Sequence, residues 1–400
     1  MVPAMPEVSL KPAKTRSLDR HHPWIFSGAL SRMPPLEPGT IVDVLSSEGQ
    51  FRARGFYNPK SQLAVRVLTW NQAEPIDTAF FRERIRRAWS QRQDLWDPSR
   101  TTALRVVMSD ADGLPGLVAD RYGDHLVVQF LTAGMERQRS IACDALTELF
   151  QPQSIYERSD DASRELEGLQ KQSGLIYGKA PPDQGVLIQE NGLLFQVSIR
   201  EGHKTGHYCD QRNARAHVGA LARGKQVLDA FCNTGGFTLS ALKGGATHVT
   251  SIDSSKTALA QLQHNLDLNG LLGLENQESV PGDVFEVLRT LNRERRSYDM
   301  VVLDPPKFAH SARDVMKAAR GYKDINLLAG RLLRPGGFLA TFSCSGHISL
   351  DLLQKIVFGA LNEAGRDGRI LSYFCQAEDH PIRLTLPESL YLKGLLIQLD

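Results

Sequence analysis

The chain of 400 residues is long enough for two or three domains, and its 42% hydrophobic and 23% charged residues exclude a disordered or fibrous protein. A net charge of +2 neither demands nor excludes a polyanionic partner, so the distribution of charge must decide. Five scattered cysteines, with no C-x-x-C pair, argue against a disulfide framework or a zinc site and fit a reducing cytoplasm. No stretch approaches the roughly 18 apolar residues of a membrane span, and residues 1–19 lack the apolar core of a signal peptide.

Residues 1–75 read as a small β-rich domain. Strands are expected at 40–45, 51–57 and 63–68, the last two alternating apolar and polar positions. Through Trp70 there are nine Lys/Arg against five Asp/Glu, with His21, His22, Trp24, Phe51, Phe56 and Tyr57 interleaved. Cations beside stacking rings suit RNA; the plainer reading is a solvated face on a small barrel. Residues 76–200 read as an α+β middle domain. Its helix, 76–100, puts Phe81, Ile85, Ala88 and Trp89 on one face, surrounded by Arg82, Arg84, Arg86, Arg87 and Arg92. Strands follow near 104–108, 117–120, 126–131, 154–156 and 193–199, with a helix at 135–150. The loop 110–116, Asp-Ala-Asp-Gly-Leu-Pro-Gly, lacks the ligand spacing and terminal Glu of a calcium loop, so no metal is expected.

After a polar loop at 201–213 that runs into a helix near Asp210, strands and helices alternate from Lys225 onward, as a doubly wound, Rossmann-like α/β sheet requires. The first strand, near 226–229, ends in Asp229. Asn233 to Gly236 then make a tight turn into a helix, a nucleotide-binding opening with its ligand at the strand's carboxyl end. The G-x-G-x-x-G loop that a pyrophosphate needs is absent, which favours a nucleoside without phosphates, such as the adenosine of S-adenosylmethionine. Asp253, 18 residues after Gly235 and followed by Ser254, ends the second strand and suits ribose hydroxyls. Asp283, followed by Val284, ends the third and suits the adenine amino group.

Two further strand ends carry chemistry. Met300 to Leu303 deliver Asp304 to the sheet edge, where Pro305 and Pro306 stiffen the chain before Lys307. Asp-Pro-Pro loops of this type serve methyl transfer to planar nitrogens or bases. Phe338 to Ser343 deliver Cys344, beside Asp304 in the usual strand order, between Ser343 and Ser345. A lone cysteine is most often a small buried hydrophobe. A cysteine here also matches a specific need. C5 of cytosine is a poor nucleophile, and a thiolate adding to C6 activates it. The competing reading is a base N-methyltransferase in which Cys344 is structural; a third is a ribosome-assembly RNA-binding protein with a vestigial cofactor site.

The runs 20–29 and 53–61 resemble the PUA domain of the RlmI family, bacterial large-subunit ribosomal RNA cytosine-C5 methyltransferases. Gly202-His203-Lys204-Thr205-Gly206, Asp210-Gln211-Arg212, Thr234-Gly235-Gly236-Phe237, Asp304-Pro305-Pro306-Lys307, 320–326, 341–346 and 391–394 extend the resemblance over nearly the whole chain. It departs at His207 and Cys209. The resemblance implies a PUA-like RNA-binding β barrel (1–75), a strand-strand-helix-strand-strand middle domain (76–200) and a methyltransferase domain (201–400). It also implies S-adenosylmethionine as cofactor, 23S ribosomal RNA or a large-subunit assembly intermediate as partner, and a homodimer. The expected cofactor contacts are Gln211, Asp229, Phe231, Asn233, Gly235, Asp253, Ser254, Asp283, Val284 and Asp304. Pro305, Pro306, Lys307 and Arg54 are expected at the substrate, and Cys344 with Asp304 in catalysis.

Overall fold

The computed structural model describes residues 5–400 except Trp96, His203, Leu274 and His310, and only the backbone at Ala312. His203 of the Gly-His-Lys-Thr-Gly run therefore lies outside the described residues. The chain divides into two compact units. One holds Met1–Ile188, Val197–Cys209 and Glu378–Ser389; the other holds Gln189–Gln196, Asp210–Ala377 and Leu390–Asp400. Among the described residues no helix is long and apolar enough to cross a membrane.

The described residues of the first unit include two five-stranded sheets. In the N-terminal sheet, Thr40–Leu45 and Phe51–Tyr57 form an antiparallel hairpin, and Val65–Thr69 pairs with its second strand. Val42, Val44, Ala53, Val65 and Val67 fill its core at 0–1% exposure, and full burial of each valine contributes about 1.5–3 kcal/mol. The second sheet runs Gln172–Gly178, Ser154–Ser159, His125–Phe130, Leu117–Tyr122, Ala103–Met108. Its one parallel pair, His125–Phe130 with Ser154–Ser159, is bridged by the crossover helix Arg139–Phe150, as parallel neighbours require. Phe56 of the first sheet packs onto Gly134, where a Cβ would stand 2.0 Å from its ring; glycine is what permits the approach.

The Arg-ringed helix is shorter than its pattern predicts, Thr78–Ser90, started by Asp77, whose carboxylate accepts from Phe80 N at 3.0 Å. Its arginines are not one solvated face. Arg92, just beyond it, is 1% exposed and pairs with Asp112 at 2.8 Å, while Arg84 lies over the Phe80 ring. The acidic loop explains itself the same way. Asp110 accepts from Trp24 Nε1 at 2.8 Å and pairs with Arg66, so these carboxylates anchor arginines and an indole.

The second unit is built on a seven-stranded sheet among the described residues. Its order is Gln277–Pro281, His248–Asp253, Gln226–Ala230, Tyr298–Leu303, Leu333–Ser343, Lys393–Leu399, Gly368–Phe374. The first five are parallel; Lys393–Leu399 inserts antiparallel to both its neighbours. Parallel strands buried on both faces read as continuous apolar runs, and Met300 to Leu303 are all at 0% exposure. In helix Val284–Arg293, Val284, Leu288 and Leu291 recur at i, i+4 and i+7 and enter the same core as Tyr322, Leu339 and Ile397. This topology brings four strand ends carrying Asp229, Asp253, Asp304 and Cys344 to one edge of the sheet.

Candidate active site

The turn after Gln226–Ala230 is unusually strained. Phe231 (φ 66°) and Asn233 (φ 48°) are left-handed without being glycine, and Gly235 (φ 89°) follows. A Cβ at Gly235 would lie 2.1 Å from Leu262 Cδ1, which would have to move, and its φ of 89° is one that residues with a side chain rarely adopt, so a substitution there is strained. Such backbone persists where the surroundings over-determine it, commonly at ligand sites. Asp253 does so here: Oδ2 accepts from Asn233 N at 2.9 Å and Oδ1 from Ser255 N at 2.8 Å. Ser254 is exposed. Asp283 caps the next helix by accepting from Glu286 N at 3.2 Å, while the Val284 side chain is buried in the core, leaving its backbone for a ligand.

Asp229 is 1% exposed. Thr238 Oγ1 donates to its Oδ2 at 2.7 Å, and Oδ1 is buried without a hydrogen-bond partner. Burial pushes its carboxyl up to about 6, with the Thr238 hydrogen bonds opposing. Gln211 is similar: Nε2 donates to Asp304 Oδ1 at 3.0 Å, and Oε1 is buried and unsatisfied. Tyr391 OH, donating to Asp210 Oδ2 at 2.7 Å, fixes the turn that presents Gln211. Two buried acceptors lacking donors, beside a cradle closed to any Cβ, fit a ligand that carries an ammonium and hydroxyl groups.

The two residues expected in catalysis follow the strands Tyr298–Leu303 and Leu333–Ser343, which pair with Leu303 opposite Thr341. Asp304 and Cys344 leave these adjacent strands. Ser345 pins the Asp-Pro-Pro loop: its Oγ donates to Ala309 O at 2.9 Å and accepts from Ala309 N at 3.1 Å. Phe308 packs among Phe231, Phe285 and Tyr322, leaving Pro306 and Lys307 exposed and Pro305 buried. Ser343 Oγ donates to Tyr322 OH at 2.9 Å; burial pushes that phenol up to about 12, so it stays neutral. Cys344 is half-buried. Burial pushes the Cys232 thiol well above its ordinary range and Cys143 up to about 12, which makes both inert. Lys393, which the residue pattern does not single out for chemistry, donates from Nζ to Ser345 O at 2.7 Å. The signal available for it is a lysine opening a final strand that is otherwise apolar except for Gln398.

Arg54 does not reach outward as expected. It is 8% exposed, its Nε and Nη2 pair with Asp43 at 2.5 and 3.0 Å, and Nη1 donates to Glu74 O. The guanidinium is committed to holding the barrel together. The first unit instead surrounds a cavity of about 840 Å³ with Lys14, Arg16, Arg20 and His22, facing Leu384 and Thr385. Among the described residues Lys14, Arg16 and Arg20 have no ion-pair partner.

Residues 172–396 match the family model of S-adenosylmethionine-dependent methyltransferases, and residues 8–70 that of a PUA-like domain. Sheet, strained turn and strand-end carboxylates together define a methyltransferase whose cofactor is S-adenosylmethionine. Over 98% of both chains it is 46% identical to ribosomal RNA large subunit methyltransferase I of Tolumonas auensis, and 45% identical to the protein of that name from Aeromonas hydrophila. The chain belongs to the ribosomal RNA large subunit methyltransferase I family. A Streptococcus mutans protein classed as a SAM-dependent methyltransferase shares the fold at TM-score 0.85 and 22% identity, covering 98% of this chain and 100% of that one. SMU.776, solved with SAH, does so at 0.86, with the same identity and coverage.

Proposed function

We propose that this protein methylates C5 of a cytosine in 23S ribosomal RNA, with Cys344 as covalent nucleophile. The observation that supports the reaction class is the position of Cys344: a half-buried thiol leaving the strand next to the one that delivers Asp304, between two buried serines. An RNA substrate is supported by the family's name, by the PUA-like domain, and by three unpaired cations around one cavity of the first unit.

The chain's residues divide the work. The turn from Phe231 to Gly235, with Gln211, Asp229, Asp253, Ser254, Asp283 and the Val284 backbone, holds the cofactor, which when bound supplies an electrophilic methyl group. Pro305, Pro306 and Lys307 line the approach of the flipped base. Asp304 hydrogen-bonds the N3/N4 edge of the cytosine and orients its ring. The Cys344 thiolate adds to C6 through a sulfur lone pair, the electrons of the C5–C6 double bond move to C5, and C5 becomes nucleophilic enough to take the methyl. A base or water takes the C5 proton, and the C5–H electrons restore the C5–C6 double bond and expel the thiolate from C6.

The test is to supply the full-length protein with 23S ribosomal RNA and methyl-labelled cofactor and digest the product to nucleosides. Label in 5-methylcytidine is expected. Label in an N-methylated nucleoside overturns the C5 reading and moves Cys344 to a structural role.

A further inference from the structure

Lys393 opens the strand Lys393–Leu399, and its backbone pairs with Ser343, the residue before Cys344. Its side chain reaches the residue after Cys344: Nζ donates to the Ser345 carbonyl at 2.7 Å. The residue is 4% exposed. Among the described residues this is its whole set of hydrogen bonds, and no carboxylate lies within ion-pair distance. Once protonated, it carries three N–H donors, of which the described residues supply an acceptor for one. Almost every buried cation in a protein is paired, because an ammonium out of water without an anion is strongly disfavoured. Two buried arginines obey the rule, Arg54 with Asp43 and Arg92 with Asp112.

The titratable groups around this point come from four segments. They are Cys344 itself, Lys307 and Asp304 of the Asp-Pro-Pro loop, Tyr322 of helix Val315–Leu332, and Lys393. Lys307 repels Lys393, and Cys344 is the group whose negative charge favours the ammonium. Tyr322 is a neutral phenol engaged by Ser343, and Asp304 holds Gln211.

We propose that Lys393 is the counter-ion of the Cys344 thiolate, taking the thiol proton and holding the sulfur as an anion ready to attack. The inference rests on the nucleophile reading above. The proton leaves Sγ and arrives on Nζ, so the pair's net charge is unchanged. Addition to C6 uses a sulfur lone pair; expulsion at the end of the cycle returns the thiolate beside the ammonium. The C5 proton therefore leaves by a group other than Lys393. Burial lowers Lys393 to about 8, close to the ~8.5 of an ordinary thiol, so the exchange is nearly balanced and small electrostatic biases decide it. An exposed lysine near ~10.4 would be a fixed charge with no such exchange. Lys393 thus acts through Cys344, as a positioning residue.

The experiment is alkylation of the full-length protein by iodoacetamide from pH 5 to 10, with the Cys344 peptide followed by mass spectrometry and the exposed Cys375 as internal reference. The parent should show a Cys344 midpoint below ~8.5 and react at pH 7 about tenfold faster than Cys375. Lys393→Met should raise the midpoint by about one unit or more and slow Cys344 about tenfold at pH 7. Lys393→Arg keeps the charge and should keep the low midpoint. S-adenosylmethionine affinity, measured on each variant, reports folding. A Cys344 midpoint unchanged by Lys393→Met overturns the proposal. Should that variant lose cofactor binding, Lys393→Arg decides alone, and a midpoint at or above that of Cys375 overturns it. The readout needs neither RNA nor methyl transfer, so its failure leaves the C5 reading standing. Methyl label on nitrogen, in turn, sinks the C5 reading without moving the alkylation midpoint.

Discussion

Gln211 Nε2 donates to Asp304 Oδ1 at 3.0 Å, tying the turn ahead of the sheet to the strand end that carries the Asp-Pro-Pro loop. A residue expected to touch the cofactor is therefore also a support for the carboxylate proposed to act in catalysis, and its buried Oε1 has no hydrogen-bond partner. A hydrogen bond to a charged group contributes about 1.5–3 kcal/mol. Gln211→Ala should lower the single-turnover rate about tenfold or more. Gln211→Glu should be worse, because a second carboxylate against Asp304 favours protonation of one of them. Rates from both variants that match the parent would show that this bond does not orient Asp304.

Asp253 makes the companion case. Its two oxygens accept from Asn233 N and Ser255 N, so it shapes the strained turn as well as facing the expected ribose. Asp253→Ala should weaken S-adenosylmethionine binding by about 1–3 kcal/mol, the penalty for unpaired donors. Calorimetry giving an unchanged affinity would remove Asp253 from the site.

Much of this site is visible in the residues because it sits at strand ends. Buried parallel strands are continuous apolar runs, and a carboxylate that follows one, as Asp304 follows Met300–Leu303, is conspicuous; Asp229 and Asp253 stand at strand ends beside the glycine turn. What escapes is set by long-range pairing. Arg54 is expected at the substrate, yet it faces Asp43 across the hairpin, and the irregularity between Val44 and Leu45, which the residues of the turn do not announce, sets that register. Lys393 lies far along the chain from Cys344, and only the antiparallel insertion of the last strand places them together. Strand Gln172–Gly178 is hidden because it is glycine-broken and largely exposed at the sheet edge. The return of Glu378–Ser389 to the first unit has no local signal, since loops carry no periodicity that says where they dock.

The buried Asp229 sets a pH dependence. Its folded-state pKa, about 6, lies above the ordinary 3.8, so the unfolded chain gives up the proton more readily than the folded one. The contribution favouring the fold is fully present below pH 3.8 and is lost as pH rises through 6. Asp229→Asn keeps an oxygen for Thr238 and removes the titration. Relative to the parent, this variant should gain stability between about pH 4 and pH 7, by up to about 3 kcal/mol. Urea unfolding at both pH values checks it; a difference independent of pH would show that Asp229 is not raised.

The cations of the first unit separate binding from folding. Lys14→Glu, Arg16→Glu and Arg20→Glu together should weaken RNA binding and flatten its salt dependence by about 2 units of slope, at roughly 0.7 for each phosphate no longer neutralised. Cofactor affinity should not change. Arg54→Ala should leave the salt slope alone and instead destabilise the protein by about 3–5 kcal/mol, because Asp43 is left buried and unpaired. A triple variant with the parent's salt slope would exclude this cavity as an RNA-binding surface.

The final prediction addresses the covalent step. RNA with 5-fluorocytosine at the target should trap the enzyme, because fluorine cannot leave C5 as a cation and elimination stops after methyl transfer. Of the five cysteines, Cys143 and Cys232 are held as unreactive thiols by burial and Cys209 is 2% exposed, whereas Cys344 is half-buried beside Lys393 and Asp304. Cys344→Ala should therefore abolish both trapping and turnover while leaving S-adenosylmethionine affinity nearly unchanged, since the thiol serves the base. Cys209→Ala, Cys232→Ala and Cys375→Ala should still form the adduct, visible as a slow band of labelled RNA on a denaturing gel. Exposed Cys375 is the informative control: an adduct that disappears with Cys375→Ala and persists with Cys344→Ala would move the nucleophile to the sheet edge. A Cys344→Ala enzyme that methylates C5 at a rate near the parent's would show that no thiol at this strand end is needed.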